Sequence, residues 1–138
     1  MLFTRECDYA VRILRALSGG GVVSVQDICA LEDLSVSITY KITRKLEKSG
    51  ILKSFRGTNG GYALNRPLND LTLLEVFTAV DSQLLVTECT GSLGTGHSHS
   101  CSRNTADHPC LVHAEFLRIQ SLLIKELNAR PLSQIIKG

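Results

Sequence analysis

Two short β-type runs, Ile51–Phe55 and Tyr62–Leu64, face each other across the Gly-rich turn GTNGG, and everything before them reads as helix. Helices followed by a single tight hairpin leave few folds open. Thr4 is placed to cap a first helix running to about Ser18, with Tyr9, Val11, Ile13, Leu14 and Leu17 as its buried stripe. Gly19, Gly20 and Gly21 end it. Ser24 opens a second helix, with Asp27 three positions on and Ile28 and Leu31 as the inner face. A third helix starts near Ser35 and stops at Gly50, which suits a left-handed C-terminal cap. Ile38, Ile42 and Leu46 recur every fourth residue and share one face of it. The pattern predicts a mainly α protein with a small β-hairpin, a winged helix-turn-helix.

The opposite side of the third helix is polar, basic and poor in acid, and that combination suits DNA. A helix entering the major groove needs short polar side chains toward its N-terminus and cations along its flanks. Ser37, Thr39, Tyr40 and Lys41 are the expected base readers. Arg44, Lys45 and, on the hairpin, Arg56, Thr58, Asn59 and Gly60 are expected at phosphate or in the minor groove. The charge agrees. Residues 1–66 hold ten Lys/Arg against six Asp/Glu, and residues 67–138 hold five against seven, so the net +2 divides into +4 and −2. The competing interpretation is a basic three-helix protein whose hairpin is merely solvated.

Beyond the hairpin, Thr72 and Glu75 stand at capping-box spacing before a fourth helix to about Val80. A long helix then spans Leu111 to Asn128, with Val112, Phe116, Ile119, Leu123 and Leu127 in a stripe that Leu122 and Ile124 widen. So apolar a peripheral helix calls for a partner. A two-fold homodimer fits best, because winged-helix readers bind paired half-sites. Pro131 breaks the helix, leaving PLSQIIKG as a short terminal helix or tail. The expected organisation is a DNA-binding unit over 1–82, a Cys/His-rich loop over 83–110, and a dimerisation helix with its tail over 111–138.

That loop cannot build a core. CTGSLGTGHSHSCSRNTADHPCLVH, residues 89–113, holds three of the five cysteines and all four histidines, and almost no apolar residue until its end. Cys89, Cys101, Cys110 and His113 follow the spacing C-x11-C-x8-C-x2-H. Three thiolates and an imidazole can close a tetrahedral zinc site or anchor an iron–sulfur cluster, and spacing alone does not separate these. Cys110 precedes the long helix, whose N-terminus favours negative charge. A redox-switched disulfide and a set of bystander thiols are the competing interpretations. His97 and His99 read as loop residues, and Cys7 and Cys29 as buried structural thiols. The charged N-terminus MLFTRECDYAVR does not resemble a signal peptide, and no apolar run is long enough for a membrane span. A cytoplasmic protein with reduced thiols is expected. No nucleotide-binding loop occurs, and the ligands lie on a loop rather than a rigid scaffold, so nothing asks for an enzyme.

Four segments together resemble one family: MLFTRECDYAVRILRAL, SITYKITRKLEKSGILKSFRGTNGGYAL, LTLLEVFTAVD, and cysteines ahead of a long helix. They are similar to the IscR/NsrR-type regulators, the Rrf family, over nearly the whole chain, and RGTNGGYAL is the most specific part. The resemblance implies a homodimeric winged-helix transcription factor that binds a double-stranded DNA operator. It further implies an iron–sulfur cluster, [2Fe-2S] or [4Fe-4S], on Cys89, Cys101 and Cys110, sensing iron–sulfur status, redox stress or nitric oxide. For the fourth ligand it offers His113, as in the IscR-like branch, or Asp8 of the other subunit, as in the nitric-oxide-sensing branch. The cysteine gaps are longer than is usual in cluster-binding members. That leaves room for a repressor switched by thiol–disulfide chemistry alone, and a zinc-stabilised DNA-binding or structural module is the separate alternative.

Overall fold

The computed structural model describes residues 2–91, 93 and 101–136. Five α-helices occur in it, α1 (Arg5–Ala16), α2 (Val25–Glu32), α3 (Val36–Lys48), α4 (Leu73–Val80) and α5 (Leu111–Asn128), with a hairpin of β1 (Leu52–Phe55) and β2 (Gly61–Leu64) between α3 and α4. Short 3₁₀ turns cover Leu68–Asp70, Glu88–Thr90 and Leu132–Gln134. This is the winged helix-turn-helix with a long C-terminal helix that the sequence predicts.

The starts and stops have local causes. Ser24 and Ser35 accept hydrogen bonds from the amides of Asp27 and Ile38, capping α2 and α3. Thr72 and Glu75 form the expected reciprocal capping box on α4. Thr4 sits at the N-cap of α1, but its hydroxyl donates to the Cys7 thiol, 3.6 Å away, instead of capping. Asp33 takes a left-handed conformation (φ 52°) and ends α2, so that α3 follows after a tight turn at Asp33–Ser35. Gly50, at φ 80°, ends α3 as expected.

The centre of the core is Ile13, Leu14, Leu17, Ile28, Ile42, Leu46, Ile51, Val76 and Val80, all buried. α1 lies across α2, α3 and α4. Two expected stripes are displaced. In α1 the wholly buried positions include Cys7 and Ala10, while Tyr9 and Val11 are half-buried. In α2 the inward line is Val25, Ile28 and Glu32, at i, i+3 and i+7, and Leu31 is left 66% exposed on the flank. Glu32 is tolerated inside because Arg15 binds its carboxylate through two nitrogens and Arg12 donates to its carbonyl.

The hairpin is tied back to the helices. Leu52 pairs with Leu64 and Phe55 with Gly61 in an antiparallel register, and Val23, just ahead of α2, exchanges both backbone hydrogen bonds with Tyr62 at 2.9 Å. Gly61 permits this third lane, since a Cβ there would lie 2.1 Å from the Val23 carbonyl oxygen. Gly61→Ala is therefore expected to cost on the order of 1–3 kcal/mol in chemical denaturation, the penalty of forced overpacking. The C-terminal tail is also docked. Leu132 and Ile136 are buried, the Leu132 amide donates to the Leu71 carbonyl (2.8 Å), and the Thr72 hydroxyl donates to Asn128 (2.8 Å). Residues 111–136 thus share the core of the first segment.

Candidate nucleic-acid interface and ligand site

On α3, burial divides the predicted readers. Ser37, Tyr40, Lys41 and Arg44 are exposed on one side, and the Arg44 guanidinium lies 6.0 Å from the centre of the Tyr40 ring. Thr39 is not among them. It is fully buried against α2, its hydroxyl donating to the Ser35 carbonyl (3.0 Å) and lying 3.3 Å from the Cys29 thiol. Thr43 is buried likewise. Thr39, Ile42, Thr43 and Leu46 form the i, i+3, i+4, i+7 face, and threonine fits inside because its hydroxyl bonds the preceding turn.

Lys45, its side chain 38% exposed, is tied to the neighbouring helices. Its ammonium donates to Glu6 Oε2 on α1 (2.5 Å) and to the Val80 carbonyl at the end of α4 (2.7 Å). Lys41 donates to the other oxygen of the same carboxylate, at 2.5 Å. Hydrogen bonds from Lys41 first and Lys45 second hold the Glu6 carboxyl below its ordinary value of 4.5. A carboxylate depressed in this way adds stability above its unfolded pKa, and that contribution is lost as pH falls through the folded one.

The wing carries Arg56, Thr58 and Asn59 exposed, and Gly60 half-buried. Its turn closes through the Gly60 amide to the Gly57 carbonyl (3.0 Å), and a Cβ on Gly60 would lie 2.5 Å from the Phe55 carbonyl oxygen. Between wing, α3 and the start of α2 runs a cleft of about 320 Å³, lined by Ser24, Gln26, Tyr40, Phe55, Thr58 and Gly60. Sequence patterning marks Ser24 only as a helix cap and gives Gln26 no role, yet both line this cleft. The signal for them was the helix N-terminus itself, where free amides suit a phosphate.

The cysteines are reached by three different pieces of backbone. Cys89 lies in the 3₁₀ turn Glu88–Thr90, with the Thr87 hydroxyl 3.2 Å from its sulfur. Cys101 begins a turn in which its carbonyl accepts from the Asn104 amide (3.0 Å), and the Asn104 side chain in turn accepts from the Cys110 amide (2.9 Å). Cys110 is the N-cap residue of α5. All three are half-buried free thiols. His113, in the first turn of α5, has a buried Nδ1 with no hydrogen-bond partner among the described residues. Asp8 is exposed on α1, 3.6 Å from Arg12. Among the described residues, no three His, Cys, Asp or Glu side chains converge closely enough to hold a metal. His97 and His99 lie outside the described residues. The donor chemistry nevertheless fits a thiophilic metal group, since the thiols are unpaired and the His113 nitrogen is orphaned.

Cys7 is fully buried and burial pushes its thiol up, as a structural thiol requires. Cys29 is only half-buried. A polar tie joins Cys89's turn to α5: buried Gln120 donates to the Thr90 carbonyl (3.2 Å). No helix among the described residues is long and apolar enough to cross a membrane.

Comparison with known proteins agrees with this architecture. Residues 3–138 match the Rrf2 family, described as iron-dependent transcriptional regulators. The chain is 30% identical to protein aau3 of Rhizobium meliloti, over its whole length and 92% of that protein. It is 29% identical to the HTH-type transcriptional regulator IscR of Escherichia coli, over its whole length and 82% of that protein. Among solved structures, CymR, the global cysteine regulator of B. subtilis, superposes with a TM-score of 0.73 at 18% identity, over 97% of this chain and 95% of that one. IscR of T. potens gives 0.70 at 19%, over 96% and 83%. The IscR and CymR relatives are named as regulators. With a family match spanning all but its first two residues, and a helix-turn-helix and wing in place to meet DNA, the chain belongs to the Rrf2 family of DNA-binding transcription regulators.

Proposed function

We propose that the protein is a homodimeric, cytoplasmic repressor or activator whose hold on a double-stranded operator responds to redox state, nitric oxide or iron–sulfur supply. Cys89, Cys101 and Cys110 supply thiolates to an iron–sulfur cluster, and His113 or the Asp8 carboxylate of the other subunit completes the ligand set. The observation that carries this reading is a donor set of three free, half-buried thiols and a buried imidazole nitrogen that has no partner among the described residues. When bound, such a group supplies a centre that oxidants and nitric oxide attack. The chain's own part is to hold the thiols at both ends of one loop, one on a turn tied to α5 through Gln120 and one at the α5 N-terminus. Anaerobic purification followed by iron, sulfide and zinc analysis tests it. Zinc without iron or sulfide would make the loop a structural zinc site instead.

In the same reading, residues 1–82 contact DNA, 83–110 carry the thiols, and α5 forms the subunit interface. Ser37 and Tyr40 read bases; Lys41, whose ammonium is held on the α1 side by Glu6, meets phosphate, and Arg44, Arg56, Thr58, Asn59 and Gly60 meet the backbone or the minor groove. Arg44→Ala is expected to flatten the log–log salt dependence of DNA binding by about one unit. Lys45→Ala should leave that slope alone and lower the melting temperature, because its ammonium is spent on Glu6 and Val80. A flattened slope for Lys45→Ala, with unchanged stability, would return that residue to the DNA surface.

A further inference from the structure

The carboxylate of Glu6 grips two cations of the helix that faces DNA. Glu6 lies in the first turn of α1, on a different element from the α3 and wing residues assigned to DNA contact. Its two oxygens take one lysine each: Oε1 from Lys41 and Oε2 from Lys45, both at 2.5 Å. Lys45 is held from a second side by the Val80 carbonyl, so its position is fixed by three elements, α1, α3 and α4. Lys41 has no such second anchor among the described hydrogen bonds, and its side chain remains 58% exposed against 26% for Glu6. Of the pair, Lys41 is the one able to leave.

A lysine with that freedom has two possible anions. Its neighbours Ser37, Tyr40 and Arg44 form the exposed side of α3, so its ammonium can swing toward a DNA phosphate or fold back to Glu6. An exposed ion pair is weak and screened by salt, whereas a duplex presents a dense line of phosphates and releases counterions for each cation it captures. Glu6 therefore does not abolish the phosphate contact; it makes that contact compete with an intramolecular one.

We propose that Glu6 is an affinity-setting residue for DNA, restraining Lys41 by an intramolecular ion pair that must break before the lysine can reach phosphate. The arrangement also places the restraint on α1, two residues from Asp8, so any displacement of that first turn alters how firmly Lys41 is held. This inference rests on reading α3 as the DNA-facing helix, and the controls separate the two claims.

Because phosphate contacts dominate binding to any duplex, a fluorescently labelled random-sequence duplex serves as the probe. Dissociation constants are measured across a salt series for the full-length wild type, Glu6→Gln, Lys41→Ala and the double variant, with circular dichroism to confirm folding of each. Glu6→Gln is expected to bind a few-fold more tightly at about 100 mM salt and to steepen the salt slope by a fraction of the roughly 0.9 that one full phosphate contact contributes. In the Lys41→Ala background the same change should do neither, which distinguishes release of Lys41 from a general gain in positive charge. A gain that persists without Lys41, or no gain from Glu6→Gln in a folded protein, overturns the proposal. Should Glu6→Gln unfold, Glu6→Ala in a Lys41→Arg background provides the reading, with the same tighter binding expected relative to Lys41→Arg alone. If Arg44→Ala also left binding untouched, the fault would lie with α3 as the DNA-facing helix, and the proposal would fall with it.

Discussion

Anaerobically purified Cys89→Ala, Cys101→Ala and Cys110→Ala proteins should each contain no stably bound iron or sulfide, against a coloured wild type. Thiolates are the primary ligands of such a centre, and none of the three has a nearby spare cysteine to replace it. Cys7 is sealed in the core and Cys29 faces α3 beside Thr39, so neither can substitute. Substituting His97, His99 or His108 should leave the iron content intact. His108 is exposed, and its turn is held by backbone bonds to Thr105 rather than by the imidazole. His113→Ala and Asp8→Ala decide the fourth ligand. The buried, unpartnered Nδ1 of His113 favours the histidine, since a buried polar atom without a partner is costly unless something else binds it. Asp8 already has a partner in Arg12. Loss of iron in Asp8→Ala and its retention in His113→Ala would reverse that preference and place a ligand across the subunit boundary.

Those thiols also set what the loop does without metal. Free and half-buried, Cys89, Cys101 and Cys110 are held by hydrogen bonds with Thr87, Asn104 and the α5 backbone. If all three alanine variants kept full iron and sulfide, the loop would have no ligand role. If the wild type held neither iron nor zinc but bound DNA differently after oxidation, thiol chemistry alone would carry the response.

Much of the fold was legible because its signals are local. Ser24, Ser35, Thr72 and Gly50 mark element ends by chemistry confined to one turn, and GTNGG forces the wing. What escaped depended on neighbours distant in sequence. Leu31 reads as core by type, yet the inward line of α2 passes through Glu32, which two arginines of α1 make tolerable. Thr39 reads as a base contact by polarity, and a bond to its own helix lets it go inside. Lys45 reads as a phosphate contact by charge, but Glu6, thirty-nine positions away, claims it. Polarity gives no direction unless the opposing surface is known. The same limit applies to the ligand set: C-x11-C-x8-C-x2-H names the donors without saying how three separate backbone pieces meet.

The largest effect on assembly should come from Ile119→Glu, which is expected to turn a dimer into a monomer in sedimentation. Helix α5 is apolar on two sides. Leu123, Ile124 and Leu127 pack against the chain's own core, and Phe116 is half-buried. The stripe expected to join subunits is therefore partly consumed within one subunit. The large apolar residues still facing outward are Leu111, Val112, Leu117, Ile119 and Leu122, at 82%, 61%, 37%, 39% and 50% exposure. Val112, Ile119 and Leu122 fall at i, i+7 and i+10, the spacing of a seam between two helices. Burying what remains exposed of Ile119 contributes roughly 0.6–1.2 kcal/mol, below the full value for a wholly exposed residue. A two-fold axis counts each substitution twice, so about 1–2.5 kcal/mol is at stake, or roughly 10- to 60-fold in the dimer dissociation constant before the charge is counted. The charge of glutamate adds a desolvation cost in the same direction. Leu123→Glu should behave differently, lowering thermal stability first because it breaks the chain's own packing. An intact dimer for both Ile119→Glu and Leu122→Glu would remove the outer face of α5 from the interface.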